Sequence, residues 1–146
     1  MKGYWKRAEE TTQALRGGWF HSGDMGTMDD DGYVSIVDRV KDMINVSGFK
    51  VWPAEVDEAF YTHPSVLEVA VYGVPDNVRG ESVAAAVTLR PGRSASAGEL
   101  LAHIQARIAR YKLPETIDIV EQLPKGATGK LLKRELRDAA ANARKQ

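Results

Sequence analysis

Apolar positions beyond residue 32 recur at two periods, and residues 1–32 show little of either. Residues 1–32 are rich in glycine, aromatics and acids, and Asp29-Asp30-Asp31-Gly32 is a turn signal. Tyr33 to Val37 alternates as a short strand, and Met43 to Val46 predicts a second, with a tight turn at Ser47-Gly48. Pro53 suits the first position of a helix, where its missing N–H costs nothing. Val56, Ala59 and Phe60 then share a face, and His63-Pro64 closes the helix. Val66 to Val74 predicts a strand with Leu67, Val69 and Val71 on one side. Val83 to Leu89 predicts another strand, ending at an Arg90-Pro91-Gly92 turn. Ser96 and Glu99 have capping-box spacing, and Leu100, Leu101, Ile104 and Ile108 make a helical stripe up to Pro114. Ile117 and Ile119 alternate as a short strand, and residues 131–143 read as a closing helix. From about Asp38 onward this order predicts a small α+β domain, one mixed sheet covered by helices.

Composition narrows the class. Of 146 residues, 43% are hydrophobic and 27% charged, which suits one ordinary folded domain with a core. Twenty basic residues balance twenty acidic ones, so no general field draws the chain to nucleic acid or to an anionic membrane. Neither is expected as a partner, and any phosphate-bearing ligand must be held by locally placed charge. The chain has no cysteine, which excludes disulfides, zinc–thiolate sites and thiol nucleophiles. No apolar run has the length to cross a bilayer, and residues 1–10 lack the core of a signal peptide, so a cytoplasmic location is expected. His21, His63 and His103 share no ligand spacing, and Trp5, Trp19 and Trp52 read as packing residues.

Three segments could carry chemistry. In Gly126-Ala127-Thr128-Gly129-Lys130, two glycines permit close approach and a lysine supplies a mobile charge able to meet negative charge on phosphate or carboxylate. The spacing is wrong for a Walker A loop, and Leu131 stands where that motif needs Ser or Thr. Taken alone, the loop suits a solvated surface lysine better. In Gly18-Trp19-Phe20-His21-Ser22-Gly23-Asp24, the aspartate could accept from a sugar's hydroxyl pair or simply form an Asx turn. Between Asp38-Arg39-Val40-Lys41-Asp42 and Ser47-Gly48-Phe49-Lys50, alternating charges suit a solvated turn. The arginine could instead fork onto ribose or phosphate oxygens, and the Gly48 turn could let an extended ligand pass close to backbone.

Together and in this order, the segments resemble the adenylate-forming (AMP-binding) superfamily, over nearly the whole chain. Lys2-Gly3-Tyr4-Trp5, the aromatic–Ser-Gly-Asp24 segment, Asp38-Arg39 with Lys41 to Ile44, Gly48 through Val56, and Pro124 through Lys130 with Arg134 carry the resemblance. The wording from Asp38 to Gly48 looks closest to fatty-acyl-CoA ligases. Ser22 stands where threonine is commoner, and Asp57 where glutamate is usual.

The resemblance implies an acid–thiol ligase. Carboxylate and MgATP give acyl-adenylate and pyrophosphate, and the thiol of CoA then displaces AMP. It implies that Lys130 is catalytic, that Asp24 and Arg39 bind the ribose of ATP, and that Asp38 is a hinge. Ser47, Gly48 and Phe49 would line the path of the CoA pantetheine, with Lys50 near enough to touch the CoA phosphates. It implies ATP, magnesium and CoA as co-substrates, a small carboxylate such as a fatty acid as partner, and a piece of a longer enzyme. Residues 1–37 would end a missing large adenylation domain, residues 38–146 would form the mobile C-terminal domain, and the piece alone would be inactive. Exposed aromatics in residues 1–37 would favour a homo-oligomeric contact. Two other readings compete: a stand-alone binding module without catalysis, and an adenylation domain that loads a carrier protein.

Overall fold

A computed structural model describes residues 1–143. The chain divides into two compact units, one of residues Met1–Lys41 and one from Asp42 onward.

In the first unit, helix α1 (Ala8–Ala14) precedes a hairpin of β1 (Asp24–Met28) and β2 (Val34–Arg39). The acidic turn forms between the strands: Asp29 Oδ1 accepts the N–H groups of Asp31 and Tyr33, and Gly32 takes φ 86°. β2 is displaced from the predicted Tyr33–Val37 and includes Asp38, which pairs with Met25. Neither α1 nor β1 was legible from periodicity, because no residue of this unit is buried and nothing imposes an apolar face. Trp5 and Trp19, expected to pack, are 87% and 77% exposed.

The second unit is a five-stranded mixed sheet between helices. β3 (Ile44–Val46) and β4 (Phe49–Val51) form a hairpin; β5 (Val66–Asp76) and β6 (Gly80–Leu89) form a long antiparallel ribbon. The order is β4-β3-β6-β5, and β7 (Thr116–Ile119) runs parallel to β6. One edge of β6 is thus shared, by β3 at Gly80 and by β7 from Ala84 to Val87. β5 lies at the sheet's edge.

Helices α2 (Pro53–Tyr61) and α3 (Ala97–Gln105) cover one face, where Val56, Phe60, Leu100 and Ile104 meet Val69, Val71, Val83 and Val87. Helix α4 (Lys133–Ala143) covers the other, where Leu136 and Ala140 meet Ala70, Tyr72, Val74, Ala84 and Ala86. Burial on both faces explains why β5 and β6 read as near-continuous apolar runs. The Ser96–Glu99 capping box forms as predicted.

Two expectations are corrected. Leu67 does not share a side with Val69 and Val71. A register shift between Val66 and Glu68 places Val66 in that core and leaves Leu67 42% exposed. The α3 stripe ends at Gln105, well before Pro114; Ile108 still packs on the core, but from outside the helix.

Candidate active site

The lysine loop is a closed structure. Lys125 bridges to Leu131, Leu132 N–H donates to Pro124 O at 2.9 Å, and Gly126 N–H donates to Lys130 O at 2.9 Å. Gly129 takes φ 78°, a value that favours glycine, and its N–H closes a turn onto Gly126 O. Leu123 and Leu131 root the loop in the α4-side core. Lys130 is exposed, and its ammonium makes no hydrogen bond or ion pair among the described residues. Its neighbours differ: Lys125 pairs with Glu68 at 2.7 Å, and Lys133 with Asp57 at 3.1 Å.

The Ser47-Gly48 turn is equally defined. Ser47 and Gly48 take φ 51° and 89°, the double positive φ of a type I′ hairpin turn. Asn45 Oδ1 accepts the Gly48 N–H at 3.0 Å, and Ser47 N–H donates to Arg79 O at 2.9 Å. A side-chain carbon at Gly48 would meet nothing within 4 Å, so the space above the turn is open. Phe49 is exposed and its ring lies 4.9 Å from that of Tyr111. Lys50 is exposed on β4. Beside them Lys112 donates to Glu55 Oε2 at 2.6 Å, a bond that raises its pKa above the usual lysine value. Tyr111 went unnoticed in the sequence, where nothing marks a partner so distant from Phe49.

The two loops stand at opposite ends of one ribbon. The lysine loop is fastened at Glu68, near the start of β5, and the hairpin turn docks by Gly80, which pairs with Asp76 at its end. The intervening strand, Glu68 to Asp76, measures about 26 Å at ~3.3 Å per residue.

In the first unit, Asp24 and Arg39 are ladder partners, with Arg39 Nε 3.6 Å from Asp24 Oδ1. Both side chains are partly exposed, so the pair adds little stability. Asp38 Oδ1 accepts the Arg39 N–H at 2.8 Å, three residues before the first unit ends. An open cleft of about 620 Å³ bordered by Tyr4, Arg7, Arg16 and His21 includes none of the predicted site residues.

The family model for the AMP-binding enzyme C-terminal domain matches residues 55–130, just over half of the chain. The chain belongs to this family. The match spans α2 to Lys130 and so contains the whole ribbon and the lysine loop. A long-chain-fatty-acid–CoA ligase of Bacillus subtilis is 48% identical over 136 residues, covering 93% of this chain and 24% of the relative. A feruloyl-CoA synthase of an Amycolatopsis species is 47% identical, covering 94% of this chain and 28% of the relative. ATP-bound MatB from Rhodopseudomonas palustris matches with a TM-score of 0.91 at 34% identity, covering 97% of this chain and 28% of that one. The chain spans about a quarter of the length of these family members.

Proposed function

We propose that this chain is the C-terminal part of an ATP-dependent acyl-CoA ligase, and that Lys130 is its catalytic residue for the adenylation step. In that step a carboxylate oxygen attacks the α-phosphorus of MgATP, pyrophosphate leaves, and an acyl-adenylate forms. Lys130 Nζ would sit against the oxygens that gain negative charge, stabilising the transition state more than the ground state. In the second step the thiol sulfur of CoA attacks the acyl carbon and AMP leaves. Ser47, Gly48, Phe49 and Lys50 would guide the pantetheine arm past the open space above Gly48.

The observation that carries this reading is the placement of a partnerless lysine and an open turn at opposite ends of a rigid ribbon. Two tools mounted toward opposite ends of a strand about 26 Å long are poorly placed to serve one reacting centre together. They can serve it in turn if the unit rotates, a hinge motion that reuses one site for two reactions. Asp38 is our choice for the hinge, and Asp24 with Arg39 for the ribose contact; the ladder register that pairs them supports a common ligand. Magnesium would enter as part of the MgATP substrate.

Residues 1–37 are read as the end of the large adenylation domain. Exposed Trp5, Trp19, Tyr33 and Ile36 support that, since a folded unit without a buried residue needs a surface to rest on. The acid is read as a fatty acid, from the Bacillus subtilis relative, and a full-length enzyme that prefers ferulate would overturn that choice. In the full-length enzyme, Lys130→Ala is expected to slow ATP–pyrophosphate exchange about 10²- to 10³-fold while sparing thioester formation from preformed acyl-adenylate. Equal loss in both half-reactions would remove Lys130 from its assigned role.

A further inference from the structure

Lys125, Lys130 and Lys133 lie close together in sequence, yet only the outer two are paired among the described residues. Lys125 Nζ donates to Glu68 Oε1 at 2.7 Å, with each side chain 34% exposed. Lys133 Nζ donates to Asp57 Oδ2 at 3.1 Å, and these side chains are only 20% and 18% exposed. Asp57 Oδ1 accepts the Val71 N–H at 2.8 Å, so one carboxylate joins α2, the edge strand β5 and α4. Glu68 lies on β5 as well. Both ends of the lysine segment are therefore fastened to the same strand.

A cation meant to meet transient negative charge has two requirements. Its mount must be fixed, because small displacements of a reacting group cost rate steeply. It must also escape capture by a carboxylate of its own protein. The two outer pairs meet both requirements at once: they tie the segment down, and they neutralise the carboxylates that touch its ends.

We propose that Glu68 and Asp57 are positioning residues for Lys130, acting through Lys125 and Lys133 to hold the segment on β5 and keep the Lys130 ammonium unpaired. The proposal rests on the reading of Lys130 as the adenylation residue.

The test uses the full-length ligase and measures both half-reactions for Lys125→Met, Lys125→Met/Glu68→Gln, Asp57→Asn, Asp57→Glu and Lys130→Ala. Lys125→Met frees the Glu68 carboxylate and is expected to lower ATP–pyrophosphate exchange about tenfold, with thioester formation from preformed acyl-adenylate little changed. Adding Glu68→Gln removes the competing charge and should restore part of the exchange loss with thioester formation still unchanged, a split between half-reactions that a purely structural pair would not give. Asp57→Asn should lower exchange and Asp57→Glu should retain it. Unchanged exchange in Lys125→Met and Asp57→Asn beside a defective Lys130→Ala overturns the positioning roles alone. Intact exchange in Lys130→Ala overturns the reading beneath them. Equal loss of both half-reactions in Lys125→Met, without rescue in the double variant, marks a general folding role and also overturns the proposal.

Discussion

Ser47 and Gly48 hold the backbone where side-chain-bearing residues are costly, and only one of them is glycine. The Asn45 carboxamide on the Gly48 N–H and the Arg79 carbonyl on the Ser47 N–H keep the turn in place. Because a methyl group at Gly48 would touch nothing, Gly48→Ala isolates the backbone cost. It is expected to lower stability by about 1–2 kcal/mol, read as a shifted urea midpoint at unchanged slope. A shift below about 0.3 kcal/mol would show that the turn relaxes. At this scale the candidate site was legible only through order: Lys130, the Gly48 turn, Asp24 and Arg39 are each bland alone and suggest a site only together. What was not legible was company. Glu68 and Asp57 lie 57 and 76 positions from their lysines, and the Asp24–Arg39 register depends on a strand that no periodicity announced.

α2 and α3 are joined at the surface as well as in the core. Thr62, at the end of α2, donates to Ala59 O, so its oxygen accepts from His103 Nε2–H on α3 at 2.7 Å. The His63 ring stands edge-on to His103, 4.8 Å away. Partial burial, with the nearby Arg107 and His63, lowers the His103 pKa below its usual value. The folded state therefore binds that proton less readily than the unfolded chain. The contribution to stability is complete above about pH 6.5 and is lost as pH falls through the lowered folded value. Unfolding titrations should show this acid-side decline, and His103→Gln should flatten it; an identical profile in the variant would assign the decline elsewhere. Elements were legible wherever burial imposed a period: α2, β5, β6 and α4 match their patterns, and the capping box marked the start of α3. Legibility failed where burial was absent, at α1 and β1, and where geometry broke the period, at Leu67. β4 was missed because only Val51 of its three residues is buried, whereas the equally short β3 alternates buried Ile44 and Val46 about Asn45.

On the scale of the whole molecule, the α+β architecture followed from the order of periods, whereas the layering did not. Nothing in the order of elements says that α4 faces α2 and α3 across the sheet, or that β6 divides one edge between β3 and β7. That layering makes the β5–β6 ribbon a stiff spacer, buried on both faces. Its stiffness has a consequence for binding. If each end is engaged in a different orientation of the unit, a ligand at one end withdraws the other from service. Such ligands are antagonists that never touch, coupled only through the population of two states. Desulfo-CoA, which lacks the reactive thiol, should then suppress ATP–pyrophosphate exchange without competing for the nucleotide site, and the suppression should weaken in a full-length variant whose Gly48 turn is disrupted. Exchange indifferent to saturating desulfo-CoA would mean that the two ends work independently.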